Sequence, residues 1–185
     1  MTTDRAPGSL ESVRALLNTW QRPGGRQSEA VDTLADLVAD AEGWQSTVHG
    51  SYLPAARDVE ELRELRTALR EVLGCTHPKS LQRWITRFDV RPALTEEGSP
   101  WPLAMIPGRS SCAGELLCAA LDAVNRDVWQ RLRSCPDCEY VFFDSSRNGS
   151  RTWCRMTRDD PSGRSCGTLA KARAKRARDR AGRTA

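Results

Sequence analysis

The chain has 185 residues, 39% of them apolar and 28% charged, with a formal charge of +4. That length allows one domain or a domain with a small module attached, and no window approaches the ~18 apolar residues of a membrane span. The charge is uneven: residues 147–185 hold 12 Lys/Arg against 3 Asp/Glu, while residues 1–146 hold 16 against 21, so only the C-terminal end is built to seek a polyanion.

The opening MTTDRAPGSLES has no apolar run and carries Asp4, so it does not read as a secretory signal. A cytoplasmic, reducing setting is therefore expected, in which clustered thiols among the seven cysteines favour metal over disulfides. Leu10, Val13, Leu16 and Leu17 have helical spacing that ends near Trp20, and the following QRPGGR is a turn or loop. A second helix is expected from about Glu29 to Glu42, with Ser28 as its N-cap and Val31, Leu34, Leu37, Val38 and Ala41 inward. The third is the clearest: Asp58 caps it, Glu61 is the capping-box partner, and Gly74 ends it. Val59, Leu62, Leu65, Leu69, Val72 and Leu73 form its buried stripe.

A shorter helix follows Ser80, burying Leu81, Trp84, Ile85 and Phe88. Pro92, Pro100, Pro102 and Pro107 exclude a continuous helix over residues 90–110, which reads as a loop with a short strand around Leu103 to Ile106. The fifth helix is expected from about Cys112 to Arg133, with Leu116, Leu117, Ala120, Leu121, Val124, Val128 and Leu132 inward, running directly into Cys135. Trp20, Trp44 and Trp84 read as core, and no ligand site is assigned to them. Cys118 reads as packing, and Cys75 with His77 lacks a second half for a metal site. With no nucleophile–base pair, no phosphate loop and only two histidines, the body is not expected to be an enzyme.

Four cysteines then change the chemistry. Cys135 and Cys138 have the Cys-x-x-Cys spacing of a zinc knuckle. Tyr140 to Phe143 is strand-forming, Asn148-Gly149 is a turn signal, and Arg151 to Cys154 is expected to return as a second strand, bringing Cys154 to the knuckle. Cys166 stands just before a final helix and completes a four-thiolate set, which is coordinatively closed and so structural. An iron–sulfur cluster is a less suitable occupant of so short a knuckle, and four unrelated buried thiols or an incidental disulfide pair are the bland alternative. Arg133, Arg151, Arg155, Arg164 and Lys171 are close enough in sequence to offset the charge of four thiolates.

From Thr168 the chain is rich in Ala and Arg, both good helix formers, with Ala170, Ala174, Ala177 and Ala181 on one strip. Lys171, Arg173, Lys175, Arg176, Arg178 and Arg180 spread over the rest, and Arg147, Arg151 and Arg164 extend the basic surface. Such a helix is narrow enough for a major groove, and its cations suit phosphates; sequence readout is permitted but not specified. RNA is a variant that requires exposed rings at Tyr140, Phe142 or Trp153, and an acidic protein is the remaining candidate partner.

At these residues the chain resembles the CGNR zinc-finger family of bacterial proteins. The resemblance rests on Cys135-x-x-Cys138, Phe142-Phe143-Asp144-Ser145-Ser146-Arg147-Asn148-Gly149-Ser150-Arg151, Trp153-Cys154 and Cys166-Gly167 before Ala170-Lys171. Upstream, Leu16-Leu17-Asn18-Thr19, the Leu-Arg helix at 62–73 and the long helix before the finger resemble an ABATE domain. The resemblance implies a stress-induced transcription regulator with a ligand-sensing helical domain and a DNA-binding finger, whose zinc ligands are Cys135, Cys138, Cys154 and Cys166. Two departures stand out: Thr168-Leu169 replaces the family's Asn-Arg, and the 11 residues between Cys154 and Cys166 are more than is usual. The expected architecture is mainly α: a helical body over residues 1–133, then a treble-clef or zinc-ribbon-like module over 134–185 made of knuckle, β-hairpin and basic C-terminal helix.

Overall fold

The computed structural model describes residues 5–94, 103–155 and 165–181. Three helices carry the body: α1 (Leu10–Leu17), α4 (Val59–Glu71) and α6 (Cys112–Asn125), which pack on one another. Their apolar stripes supply Leu10, Val13, Leu16 and Leu17 from α1, Leu62, Leu65 and Leu69 from α4, and Leu116, Leu117 and Ala120 from α6. Around them lie β1 (Trp20–Gln21), β2 (Val31–Asp32), α2 (Leu34–Ala39), α3 (Ala41–Thr47), α5 (Gln82–Arg87), β3 (Arg91–Leu94) and β4 (Leu103–Ile106). The module follows as β5 (Leu132–Ser134), β6 (Val141–Phe143) and α7 (Cys166–Ala181). The mainly helical architecture with small hairpins is the one the sequence implies.

Local chemistry redraws several boundaries. The expected helix over 29–42 is two shorter ones, because Asp32 is drawn into other bonds and Asp40 breaks the run. β2 pairs antiparallel with β1, and the Asp32 carboxylate takes the Leu34 amide and the buried Arg66 guanidinium. Asp40 is extended and caps α3 by accepting from Gly43 N at 2.9 Å. A Cβ at Gly43 would stand 2.3 Å from that carboxylate, so the cap needs glycine there. Ser28 is not a helix cap but donates to Gly25 O within the loop. Asp58 does not cap α4 by its side chain; its carboxylate accepts from Ala55 N in a preceding 3-10 turn, while Glu61 pairs with Arg87 and Arg109.

The segment 90–110 contains the expected strand at 103–106, and it is half of a hairpin: β3 pairs with β4 from Arg91↔Ile106 to Leu94↔Leu103. The long fifth helix stops at Asn125 instead of reaching Arg133. Its end is a Schellman motif: Val128 N bonds Ala123 O, Asp127 N bonds Val124 O, and Asp127 holds the left-handed position at φ 58°. Trp129 to Arg131 form a 3-10 turn, with Trp129 buried and its Nε1 donating to Val72 O at 3.0 Å. Residue 132 then enters β5, so a turn and a strand, not a continuous helix, deliver the chain to Cys135.

The body core does not end at that strand. β5 and β6 pair Leu132↔Phe143, Arg133↔Phe142 and Ser134↔Val141. Alternate residues of a strand face opposite sides. Accordingly Leu132 and Val141 join the body core with Phe143 against it, while Phe142 packs among the four cysteines.

Candidate metal centre

The knuckle is the turn of the β5–β6 hairpin. Cys135 N donates to Tyr140 O at 2.9 Å, and Glu139 N donates to Cys135 O at 2.8 Å. Glu139 takes the left-handed backbone at φ 60°, which lets the chain reverse just after Cys138. Residues 151–154 are not a strand, contrary to expectation: the partner of β6 is β5, upstream of the knuckle. Asp144 organises the return path instead. Fully buried, it accepts from Ser146 N, Ser146 Oγ and Arg151 N at 3.0, 2.6 and 2.8 Å. Burial by itself raises its pKa, but these hydrogen bonds and nearby Arg133 outweigh it and hold the carboxyl below its ordinary value. The Asn148-Gly149 turn forms within this loop, with Gly149 at φ 57°.

Cys154 follows the loop, and Cys166 opens α7, where Ser165 Oγ accepts from Thr168 N and donates to Thr168 Oγ1. Thr168 thus serves the helix start. The helix N-terminus also favours a thiolate at Cys166. All four cysteines are buried and unpaired by disulfides, and their sulfurs lie within 4.8 Å of one another. The Cys138–Cys154 and Cys154–Cys166 sulfurs are 3.5 and 3.7 Å apart. A tetrahedral zinc–thiolate site with bonds of about 2.3 Å has sulfur–sulfur edges of roughly 3.8 Å, so the cage fits one such ion. Thiols this close cannot all ionise by themselves. Cys135 is drawn down by contacts from Cys138 and Cys154, Cys154 is pushed up by its contacts with Cys135 and Cys138 and by burial, and Cys166 is pushed up to about 12 by burial and the charges beside it. A divalent cation removes that conflict by holding all four as thiolates.

The body grips this hairpin through side chains that sequence patterns alone did not single out. Asn18 behaves as a surrogate strand: its Nδ2 donates to Val141 O at 2.8 Å and its Oδ1 accepts from Val141 N at 2.7 Å. Arg14 donates to Tyr140 Oη at 2.8 Å and Val141 O at 3.3 Å while Glu11 holds its other nitrogens. Arg70 donates to Leu17 O, Trp20 O and Glu139 O, and its guanidinium lies 4.8 Å from the Trp20 ring centre. Arg22 adds a backbone bond to Cys138 O and an ion pair with Glu139. Of these, only Asn18 lies in the Leu16-Leu17-Asn18-Thr19 text, which does not reveal its target.

Two family models match, one described as "Putative stress-induced transcription regulator" (ABATE) over residues 12–131 and one for the CGNR zinc finger over 131–179. The chain belongs to the ABATE family. No curated protein matches it. The two matches meet at Arg131, in the turn before β5. With the CGNR match and four buried sulfurs within 4.8 Å of one another, the cofactor is structural zinc.

In this ABATE protein the basic residues fall into distinct settings. Arg147, Lys171, Lys175, Arg176, Arg178 and Arg180 are exposed. Arg173 is half-exposed and donates to the buried Asp137 at 2.6 Å, tying the third turn's start of α7 to the knuckle. Arg151 is turned into the module: it lies over the Phe142 ring at 4.7 Å and donates to Trp153 O and Cys154 O. Arg164 lies outside the described residues, as do residues 156–163 of the insert. Of the alanine strip, Ala170 is half-buried and Ala174 exposed. Phe142 is fully buried and so presents no face to a base, whereas Tyr140 and Trp153 are half-buried.

Proposed function

We propose that the chain is a cytoplasmic, DNA-binding transcription regulator with no catalytic activity, in which structural zinc rigidifies a platform that presents α7 to the phosphate backbone. The observation that carries this reading is the helix itself. It starts at a buried zinc ligand, Cys166, is tied back by Arg173 to Asp137, and then exposes Lys175, Arg176, Arg178 and Arg180 over its outer turns. A solvated basic tail needs no such anchoring. The family's description as a regulator supports the same reading. Lys171 and Arg147 widen the basic surface, and Arg164 is counted with them on sequence grounds.

The test is titration of duplex DNA by fluorescence anisotropy across a salt series. If about five phosphates are neutralised, log affinity falls with log salt at a slope of roughly −4.5. A slope near zero would sink the proposal. Unchanged duplex binding after joint replacement of Lys171, Lys175 and Arg178 by Ala would instead indicate an adaptor for an acidic protein.

A further inference from the structure

A cavity of about 330 Å³ lies between the start of α1, the chain following α3, and α6. Its volume falls at the small end of ligand pockets, roughly 300–1,000 Å³. Ser12, Trp44, Tyr52, Cys112, Glu115 and Leu116 are among its walls. The polar groups are few and unevenly satisfied. Glu115 is half-buried, and both its oxygens accept from a single donor, Ser51 N at 2.9 Å. Among the described residues it has no cationic partner. A carboxylate accepts about four hydrogen bonds, so capacity remains for a second donor. Glu11 also borders the cavity, but its charge is already met by Arg14 and Arg5.

The other walls narrow the chemistry. Trp44 is 1% exposed and its indole Nε1 has no hydrogen-bond partner, a costly state for a buried donor. Tyr52 adds a second ring. Cys112 donates its thiol to Tyr52 O at 3.0 Å, and burial with the charges of Asp58 and Glu115 pushes it up to about 12, so it contributes no second anion. His49, also on the wall, holds a left-handed backbone at φ 54°. One carboxylate without a cationic partner, beside the Trp44 and Tyr52 side chains, is the chemistry that suits an organic cation, through a charge-assisted hydrogen bond.

We propose that this cavity binds a small organic cation, an ammonium or amidinium on an apolar body, with its charge at Glu115 and its body against Trp44 and Tyr52, and that α1 carries occupancy to the zinc module. The route is short. Ser12 and Glu11 of α1 border the cavity, while Arg14 of the same helix and Asn18 at its C-cap hold Tyr140 and Val141. Glu11 is also the residue that orients Arg14. A ligand that shifts α1 therefore bears directly on the grip over β6.

The experiment titrates the zinc-loaded full chain, labelled with ¹⁵N, with benzylammonium chloride, using benzyl alcohol and sodium benzoate as controls. Saturable shifts are expected at the Trp44 indole N–H and the Ser51 amide. The alcohol should bind about tenfold more weakly, the scale of one hydrogen bond to a charged group, and benzoate more weakly still. Glu115→Gln retains an acceptor for Ser51 and should lose about the same factor for benzylammonium. The Val141 amide and the Asn18 side-chain amide should move with the same midpoint. Shifts that never saturate, or equal affinity for ammonium and alcohol, would overturn the cation site, as would an unaltered midpoint in a folded Glu115→Gln chain. Saturation at Trp44 with unmoved Val141 and Asn18 signals would overturn the transmission. No readout involves nucleic acid, so the result stands apart from DNA binding.

Discussion

The body buries Leu16, Leu17, Leu62, Leu65, Leu69, Leu117, Trp44 and Phe88 around three packed helices, whereas the zinc module surrounds four thiols with one buried ring, Phe142, and two half-buried ones, Tyr140 and Trp153. At roughly 2–3 kcal/mol per large apolar side chain buried, the first set contributes several times the hydrophobic stabilisation of the second. The module's order must come from its metal and from what the body lends it. β6 makes the contrast concrete, because Val141 belongs to the apolar core and its neighbour Phe142 to the thiolate cage.

The largest expected effect follows from that difference. A structural zinc site contributes on the order of 10 kcal/mol to folding of the unit it closes. Stripping the ion with a strong chelator, or making Cys138→Ser, should release zinc and abolish amide protection around residues 135–154, while α4 and α6 stay protected. Metal analysis and hydrogen exchange on the same sample check this. Full zinc retention by Cys138→Ser would remove Cys138 from the ligand set, and simultaneous loss of protection in α4 would show that the two cores fold as one.

The body has its own single point of failure, and it is polar. Arg66 is buried and forked onto Asp32 at 2.6 and 2.7 Å, with Thr19 Oγ1 at 2.7 Å. Asp32→Asn leaves that guanidinium buried without its counter-charge and should cost about 3 kcal/mol, read as a shift in the urea midpoint of body unfolding. Hydrogen bonds from Arg66 hold the Asp32 carboxyl well below its ordinary value. A depressed pKa gives stability that is fully present above the unfolded carboxylate value and is lost as pH falls through the folded one. The difference between native chain and variant should therefore be constant near neutrality and shrink below about pH 4. A difference that grows with acidity would contradict the pairing.

Asn18→Ala probes the loan from body to module. It unpairs the Val141 N–H, leaves Val141 O only the longer bond from Arg14 at 3.3 Å, and should cost about 1–3 kcal/mol, with zinc retained. Exchange at the Val141 amide should accelerate more than exchange in α4. If both accelerate equally, Asn18 serves the body and not the hairpin.

The contrast also explains what could be read from the chain in advance. The four-cysteine set was legible because Cys-x-x-Cys spacing is a chemical constraint carried by residue type. Helices α1 and α4 were legible because their stripes repeat at helical period. The misplaced end of α6 and the misassigned partner of β6 share a cause: the chain places acidic residues where a reader looks for glycine. Asp127 and Glu139 hold left-handed backbone positions at the end of α6 and in the knuckle, as Asp89 does after α5. Without a glycine at position 127, Val128 and Leu132 extend the α6 stripe on paper, and the helix looks continuous to Cys135. That reading consumed the residues that form β5, so β6 was paired with 151–154 in its place. The clasp made by Asn18, Arg14 and Arg70 was invisible for a different reason. Long-range polar bonds leave no periodicity, and an asparagine that imitates a strand looks like one that ends a helix.

The two ends of α7 restate the contrast at the smallest scale. Arg173 bonds Asp137, which is 2% exposed, so Arg173→Ala leaves a buried carboxylate without that donor and should lower module stability by about 1–2 kcal/mol. Arg176 is exposed, and Arg176→Ala should change stability by no more than about 0.5 kcal/mol. On duplex DNA the order should reverse. A cation free to meet a phosphate adds about 0.9 to the salt slope, and one already committed to a carboxylate adds less. Arg176→Ala should thus flatten the slope by about 0.9 while leaving the melting temperature in place, and Arg173→Ala should do the opposite. Equal slopes for the two variants would mean that Asp137 surrenders Arg173 to the phosphate on binding, which makes the anchor of the helix part of its contact surface.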